Sequence, residues 1–374
     1  MLTATYRGRL APSPTGYLHL GHARTFWVAW QRARAAHGKL IFRNEDLDYQ
    51  RCKPEFVQAM YQDLCWLGLD WDEGPDTGGS FGPYSQSERR SFYLDAWCKL
   101  RDSALIYPCT CSRKDLERAL SAPHEDLLHE APSHAAPLHG AEFHHLNDRG
   151  PQPGSPERGG FARAGAEKPS PAIEGPYDTG PQPGAVAVQF PTEGPSSQPP
   201  ATAVQAPADD ELPYPGTCRE KIGTAKDYES PAGVSWRFKV PDGETISFED
   251  GYFGRQEFLA GRDFADFLLW RRDDIPAYQL AVVVDDAAMQ ITEVVRGADL
   301  LKSTARQLLL IRALGYSTPA YFHCPLLRDE KNVRLAKRHD ALSLRKLWEQ
   351  GVKAEELRKR FAEGVDWSRG LVKP

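Results

Sequence analysis

The chain has 374 residues, a formal net charge of −5 and 41% hydrophobic residues, which is enough for a core of more than one layer. No apolar run reaches the roughly eighteen residues that a membrane-spanning helix needs, and the first residues lead into a strand without a signal-type apolar region. The composition therefore argues against a membrane protein, and we expect a cytoplasmic one.

Seven cysteines, an odd number in a large chain, argue against a disulfide framework. We expect Cys52, Cys65, Cys98 and Cys324 to pack as small hydrophobic side chains.

The first strand and the first helix enclose a turn with two histidines. A short strand is predicted at Arg7–Leu10, and a helix follows from about His22 to Ala36. The H-x-G-H sequence places His19, Gly21 and His22 at the start of this helix, where amide groups and the helix dipole attract anions. Two imidazoles, with a glycine that leaves room for a nucleotide, predict a site for the phosphates of ATP.

The next elements indicate an α/β fold. A second strand-like run, Lys39–Asn44, leads into acidic residues, and a helix is predicted from Pro54 to Leu67 with proline in its first turn. Strands that alternate with helices predict a doubly wound sheet with parallel strands. Because such sheets bind ligands at the carboxyl ends of their strands, Arg9–Ser13 and Glu45 are predicted to lie beside the ATP turn.

A long segment of biased composition separates two groups of metal-ligating residue types. Cys109 and Cys111 form a C-x-C pair, and Tyr214 and Cys218 follow about a hundred residues later. On the residues alone, a zinc site and a set of buried free thiols both remain open. Residues 119–213 hold seventeen of the chain's thirty prolines, repeated P-Q-P-G sequences and a run of histidines. Such a composition buries too little apolar surface to offset chain entropy, so we predict a disordered insertion.

The last third of the chain completes the α/β core. The chain is predicted to return to the core through Gln279–Val284 and Thr292–Arg296, with helices at Leu300–Leu314 and Leu342–Gln350. The segment from residue 89 to residue 272, without the insertion, is then a connective subdomain between the two halves of the core.

A basic loop precedes the last of these helices. Arg334–Arg338 reads R-L-A-K-R, which on the residues alone fits an ordinary basic turn as well as a phosphate-binding loop with Lys337. From residue 328 to residue 360 the chain has eleven Lys or Arg and six Asp or Glu. This local excess fits an RNA-facing patch and a solvated helical face equally well.

The long run A-P-S-P-T-G-x-L-H-L-G-H, together with R-L-A-K-R, resembles the two ATP-handling signatures of class I aminoacyl-tRNA synthetases, and of their glutamyl branch in particular. The resemblance implies that ATP, with Mg²⁺, is bound and activated by His19, Gly21, His22 and Lys337. It also implies a glutamate pocket made of Arg9, Leu10, Ala11, Pro12, Ser13, Glu45, Tyr278 and Arg296. Within this pocket, an arginine would bind substrate carboxylates and Glu45 the α-amino group. Alanine at position 336, where the family usually has serine, removes a hydroxyl that could contact phosphate.

The chain also resembles the glutamyl-queuosine tRNA(Asp) synthetases, a family of stand-alone catalytic domains, because only thirty-six residues follow Arg338. This resemblance implies activation of L-glutamate with ATP and its transfer to the queuosine base in the anticodon loop of tRNA(Asp). The order Cys109, Cys111, Tyr214, Cys218 matches that family's structural Zn²⁺ site of three thiolates and a tyrosine oxygen. We expect a monomer without a membrane partner.

The resemblance divides the chain into four ranges and leaves rival functions open. Residues 1–118 hold the first half of the catalytic domain and the start of a zinc-bearing subdomain, 119–213 the insertion, 214–272 the rest of that subdomain, and 273–374 the second half of the catalytic domain. One rival is a truncated glutamyl-tRNA synthetase that charges a tRNA acceptor end. Others are a small-molecule nucleotidyltransferase, which shares the H-x-G-H turn, and a catalytically silent RNA-binding paralogue.

Overall fold

The computed structural model describes residues 5–112, 114–115, 214–327 and 343–363. The predicted insertion and the basic loop that carries Lys337 lie outside the described residues. Among the described residues, no helix is long and apolar enough to cross a membrane.

The predicted elements at the start of the chain are confirmed to within two residues. Strand β1 is Arg7–Leu10, helix α1 is Leu20–Ala35, strand β2 is Lys39–Phe42 and helix α2 is Pro54–Trp66. Strands β1 and β2 pair in parallel, as the alternation of strand and helix requires. Helix α2 begins with Pro54, whose missing N–H costs nothing in a first turn, and it ends before Gly68, whose φ of 77° suits the left-handed conformation.

The middle of the described chain forms a small antiparallel sheet and a hairpin. Helix α3 is Arg90–Asp102, strand β3 is Ile106–Cys109, strand β4 is Ser235–Phe238, strand β5 is Thr245–Asp250, strand β6 is Gly254–Leu259 and strand β7 is Phe267–Trp270. Strand β4 lies between β3 and β7 and pairs antiparallel with both. Two 3₁₀ turns accompany these elements, at Gln86–Glu88 and Arg219–Asp227.

The last part of the chain returns to the core. Its elements are helix α4 at Tyr278–Ala288, strand β8 at Glu293–Gly297, a 3₁₀ turn at Ala298–Leu300, helix α5 at Leu301–Leu314, strand β9 at Ala320–Cys324, helix α6 at Leu344–Glu349 and helix α7 at Ala354–Glu363. The apolar run Gln279–Val284 therefore lies inside a helix, and all six of its residues are buried. Helix α5 ends at Gly315, whose φ of 69° is the left-handed value typical of a helix C terminus.

The main sheet is mixed, so the prediction of a doubly wound parallel sheet holds only in part. Strands β8 and β9 are parallel, and β5 joins β9 in parallel through Asp250 and Tyr321. Strand β6 pairs antiparallel with β5, so the hairpin adds an antiparallel edge to the sheet. The backbone N–H of Thr292 donates to the carbonyl of Arg7 at 2.9 Å, which brings the start of β1 beside β8.

Three tryptophans, Trp97, Trp236 and Trp270, are the largest fully buried side chains of one core cluster, which α3, α4 and α5 help to form.

Of the four cysteines predicted to be packed, Cys324 is buried and Cys52 and Cys98 are half-buried. The prediction for Cys65 is wrong, because this side chain is exposed. It follows the buried Leu64 on α2 and is turned by about 100° from it, toward solvent.

Candidate active site

The turn after β1 presents two stacked imidazoles at the start of α1. His19 is the N-cap residue, and its Nδ1 accepts hydrogen bonds from the backbone N–H groups of Gly21, at 3.1 Å, and His22, at 3.4 Å. The rings of His19 and His22 are 3.7 Å apart between centroids and nearly parallel. A Cβ at position 21 would lie 2.9 Å from Cε1 of His19, so the cap itself requires glycine there. No acidic residue occupies the first turn, which leaves the positive end of the helix dipole for an anion.

His22 is neutral at physiological pH. Desolvation by the surrounding protein, and the neighbouring ring of His19, lower the pKa of His22 to about 3. The side chain is nevertheless exposed, so a ligand can reach it. A neutral imidazole in such a position can donate a hydrogen bond to an anionic ligand without carrying a charge of its own.

The ends of β1 and β2 hold the first part of a buried polar pocket. The backbone N–H of Glu45 donates to the carbonyl of Pro12 at 3.1 Å, which keeps the two strand ends side by side. Arg9 is buried, and its Nη1 donates to the carbonyl of Val295 at 2.8 Å. Of the other predicted pocket residues on β1 and after it, Leu10 and Pro12 are buried, Ala11 is half-buried and Ser13 is exposed.

Two residues that the sequence did not single out, Arg43 and Asp286, organise the charges behind this pocket. Arg43 is fully buried and donates to Asp286 at 2.6 Å and to Glu45 at 3.1 Å. The Nε of Arg9 lies 3.4 Å from the same oxygen of Asp286. Burial opposes ionisation of Asp286, but Arg43 and Arg9 lower its pKa. For Glu45 burial dominates and raises the pKa, although both arginines act against it. Charged residues inside buried apolar runs, F-R-N-E-D and V-V-V-D-D, are the signal that could have identified them.

Four of the predicted glutamate-binding residues converge on one place. Tyr278 is the first residue of α4, and Arg296 lies within β8. Burial raises the pKa of Tyr278, and the charges of Arg296, Glu45 and Arg9 also act on its hydroxyl. Because 39% of the Tyr278 surface stays accessible, the cluster opens to solvent on this side. The structure thus brings together Arg9, Glu45, Tyr278 and Arg296, which are separated by up to 287 residues in the chain. Lys337 lies outside the described residues.

The second predicted group, Cys109, Cys111, Tyr214 and Cys218, also meets in space. The three sulfur atoms lie within 4.8 Å of one another, and the sulfurs of Cys111 and Cys218 are 3.6 Å apart. The Tyr214 hydroxyl is 3.5 Å from the sulfur of Cys109 and 3.9 Å from that of Cys111. A tetrahedral site with Zn–S bonds of about 2.3 Å places neighbouring sulfurs roughly 3.8 Å apart. The separations and the soft donor set therefore fit zinc, and the site would be a closed, structural one.

The thiols of this cluster differ in acidity. Burial opposes ionisation of Cys218, but the backbone N–H of Thr110 and the neighbouring Tyr214 lower its pKa to about 6. Burial, with the adjacent Cys218, raises the pKa of Cys111 to about 11. The guanidinium of Arg237 lies 3.9 Å from the ring centre of Tyr214, on the side of the small antiparallel sheet. One thiol of the cluster is thus already disposed to bind a cation as thiolate.

An α/β fold with stacked histidines at a helix N terminus, beside a buried pocket of arginines and carboxylates, is that of a class I tRNA synthetase catalytic domain. The family model for the catalytic domain of class I tRNA synthetases (E and Q) matches residues 5–136 and 209–363. The chain belongs to this family.

Relatives of similar length are Glutamyl-Q tRNA(Asp) synthetases. The chain is 39% identical to that of Nitratidesulfovibrio vulgaris, over 94% of this chain and 83% of the relative, and 39% identical to that of Symbiobacterium thermophilum, over 90% and 79%. It is 34% identical to Glutamate--tRNA ligase 2 of Acidithiobacillus ferrooxidans, over 96% of this chain but 58% of the ligase. Among solved structures, a glutamate tRNA ligase from Elizabethkingia meningosepticum superposes with a TM-score of 0.58 at 26% identity, over 89% of this chain and 52% of that chain. The chain therefore spans about half of the solved ligase and about four fifths of the two Glutamyl-Q relatives.

Proposed function

We propose that this protein activates L-glutamate with ATP to form glutamyl-adenylate, and transfers the glutamyl group to the queuosine base in the anticodon loop of tRNA(Asp). The observation that carries the proposal is the convergence of Arg9, Glu45, Tyr278 and Arg296 in one buried pocket. The similarity in sequence and length to Glutamyl-Q tRNA(Asp) synthetases supports the choice of acceptor.

The charges of this pocket complement those of glutamate. The substrate has two carboxylates and one ammonium group, and the pocket offers the guanidinium groups of Arg9 and Arg296 together with the carboxylate of Glu45. Charge-assisted hydrogen bonds from arginine distinguish a carboxylate from an amide, because a guanidinium has only donors. Arg43 and Asp286 hold Glu45 and Arg9 in place, so that little reorganisation is needed when the substrate binds.

The activation step requires little chemistry from protein side chains. A carboxylate oxygen of glutamate attacks the α-phosphorus of ATP, a new P–O bond forms, and the bond to pyrophosphate breaks. His19 and His22, with Gly21 between them, would bind the phosphates at the N terminus of α1, and Mg²⁺ would accompany the nucleotide. Lys337 would neutralise the pyrophosphate as it leaves. In the second step the tRNA base displaces AMP from the acyl group.

Zinc would be held by Cys109, Cys111, Tyr214 and Cys218. When bound, it supplies a structural cross-link between the segments that precede and follow residues 119–213. These ligands would join the start of the zinc-bearing subdomain, at the end of the range 1–118, to the rest of that subdomain in 214–272.

Exchange of labelled pyrophosphate into ATP tests the first step. We expect exchange that requires L-glutamate, does not need tRNA, and is much weaker with L-glutamine. His22→Ala removes one phosphate-binding group and should lower kcat by about 10²-fold or more. Exchange without glutamate would favour a nucleotidyltransferase, and no exchange at all would favour a silent paralogue. Exchange that His22→Ala leaves unchanged would refute the role given to this histidine.

A further inference from the structure

A buried carboxylate and a buried histidine lie behind Arg296, in the middle of the mixed sheet. Asp250 is the last residue of β5, and His323 is a fully buried residue of β9. One carboxylate oxygen of Asp250 lies 2.6 Å from Nδ1 of His323 and accepts from the backbone N–H of the same residue at 3.1 Å. The other oxygen accepts hydrogen bonds from the backbone N–H groups of Tyr252 and Phe253. Since all its other partners are donors, the carboxylate serves as an acceptor, and Nδ1 of His323 must carry a hydrogen.

The other nitrogen of His323 meets the substrate-binding arginine. Its Nε2 lies 3.1 Å from Nε of Arg296, which is always a donor, and 3.2 Å from the hydroxyl of Thr304, which can donate to it as well. Burial, together with the charge of Arg296, lowers the pKa of His323 to about 4 in spite of Asp250. The ring is therefore neutral, with its hydrogen on Nδ1 and its acceptor lone pair on Nε2. Asp250 selects this tautomer, and because of it Nε2 of His323 can accept a hydrogen bond from Arg296.

The remaining contacts fix the plane of the Arg296 guanidinium. Its Nη1 donates to Gln307 at 2.8 Å, and its Nη2 donates to Thr304 at 2.6 Å and to the carbonyl of Leu300 at 3.4 Å. With the bond to His323, these contacts occupy four of the five N–H groups of the guanidinium. In the described part of the chain, one Nη1 hydrogen has no acceptor. This donor is available to a carboxylate in the pocket that Tyr278 borders.

We propose that Asp250 and His323 are positioning residues for amino-acid recognition: they hold Arg296 in the orientation that binds a carboxylate of glutamate. This inference rests on the proposed function, in which Arg296 contacts the substrate. Because the Asp250 carboxylate keeps the hydrogen on Nδ1, His323 offers Arg296 only an acceptor. The guanidinium cannot leave this orientation without losing contacts to its four protein partners, which are His323, Gln307, Thr304 and Leu300. A fixed array of donors favours a carboxylate over the side-chain amide of glutamine.

Asp250→Asn tests the proposal with a nearly isosteric change. An asparagine has one acceptor oxygen where the carboxylate has two, and its NH₂ group would donate to Nδ1 of His323. The hydrogen of the ring then moves to Nε2, where the Thr304 hydroxyl lies at 3.2 Å and the N–H of Arg296 at 3.1 Å. Nε2 can no longer accept from Arg296, so the bond that holds the guanidinium to His323 is lost. We expect KM for glutamate to rise roughly ten- to hundredfold, as for an unsatisfied buried hydrogen bond, with KM for ATP within about twofold. The preference for glutamate over glutamine should fall.

A second buried carboxylate provides the matched control. Glu73 accepts hydrogen bonds from Arg7 and Tyr84 near the opposite end of β1 from the pocket, and Glu73→Gln removes its charge in the same way. A general loss of stability would affect both variants, whereas the proposal predicts a rise in KM for glutamate only in Asp250→Asn. His323→Gln, which can place an acceptor near the former Nε2, should retain more glutamate affinity than His323→Leu.

The tautomer of His323 can be measured directly. In ¹⁵N-labelled protein, long-range ¹H–¹⁵N spectra distinguish protonated from unprotonated ring nitrogens, and His323→Gln assigns the signal. We expect a protonated Nδ1 in the wild type and a protonated Nε2 in Asp250→Asn. A wild-type ring protonated at Nε2, or an Asp250→Asn enzyme with an unchanged KM for glutamate, would overturn the proposal. If instead the wild type shows no glutamate-dependent exchange, the proposed function fails and not this inference alone.

Discussion

Replacement of Asp285 by asparagine should be among the most destabilising conservative changes in this protein. Asp285 is fully buried on α4, and one of its oxygens accepts a hydrogen bond of 2.6 Å from Nε of Arg89, which is also fully buried. The other oxygen accepts from Gln86 at 2.8 Å and from the hydroxyl of Tyr93 at 2.9 Å. This carboxylate therefore joins α4 to the start of α3 across the core.

The expected cost follows from the loss of one partner of a buried ion pair. Asparagine leaves the charge of Arg89 without its carboxylate and directs an NH₂ group at groups that are themselves donors. Breaking such a pair costs about 3–5 kcal/mol. Domains have total unfolding free energies of roughly 5–15 kcal/mol, so the loss is a large fraction of the total. At about 1–2 °C per kcal/mol for a chain of 374 residues, Tm should fall by roughly 3–10 °C.

Urea unfolding followed by circular dichroism measures this loss. Glu257→Gln is the control, because it removes the charge from an ion pair with Arg255 in which both side chains are exposed. We expect the control to change the free energy of unfolding by less than about 1 kcal/mol. A result for Asp285→Asn as small as that of the control, with an unchanged m-value, would refute the assignment of Asp285 as the central acceptor of the core.

Two further predictions concern the pocket and the thiol cluster. Because burial raises the pKa of Glu45, this carboxylate takes up a proton at a higher pH than an ordinary glutamate, and as pH falls it loses the charge that binds an ammonium group. In pyrophosphate exchange, KM for glutamate should rise toward acidic pH, and Glu45→Gln should give a KM that is high and nearly independent of pH over the same range. Cys111→Ser removes one of three thiolates, and metal analysis should find about one zinc per wild-type chain and much less in the variant.

Controls for both predictions use the same protein and the same assays. For Glu45, KM for ATP in the same titration reports general effects of acid; a KM for glutamate with the same pH profile in Glu45→Gln as in the wild type would contradict the role of Glu45. For the cluster, Cys65→Ser removes an exposed thiol and should keep the full zinc content. Equal zinc in both cysteine variants would show that the cluster is not the zinc site.

The elements at the start of the chain could be predicted because local signals agreed with one another. Helix α2 has proline at its first turn and glycine after its end, so both of its ends are marked in the sequence. The run Gln279–Val284 carries no such signal. It is buried on all sides, so it lacks the polar face that marks a surface helix, and its three valines favour a strand on propensity alone. Tertiary packing decides that it is helical.

The candidate site could be predicted for the residues that contact ligands, and not for the residues behind them. The resemblance predicted Arg9, Glu45, Tyr278 and Arg296 as glutamate-binding residues, and the fold brings them together. Arg43 and Asp286 stand out locally only as charged residues inside apolar runs, and neither run shows that the two side chains meet, because they are 243 residues apart in sequence. Asp250 and His323 are 73 residues apart. Contacts of such long range depend on the packing of several strands, so no local pattern reports which residues pair.

Transfer of labelled glutamate to tRNA tests the central claim most directly. Wild-type protein, ATP and labelled glutamate would be incubated with tRNA from cells that contain queuosine and from cells that lack it, before and after periodate treatment of the 3′ ends. Because periodate also oxidises the cis-diol of queuosine, a queuosine-containing tRNA blocked at its 3′ end by other means serves as the parallel substrate that decides the result. We predict labelling that requires queuosine and survives the block at the 3′ end. Labelling of both tRNA pools that the block abolishes would contradict the account and indicate an enzyme that charges the acceptor end.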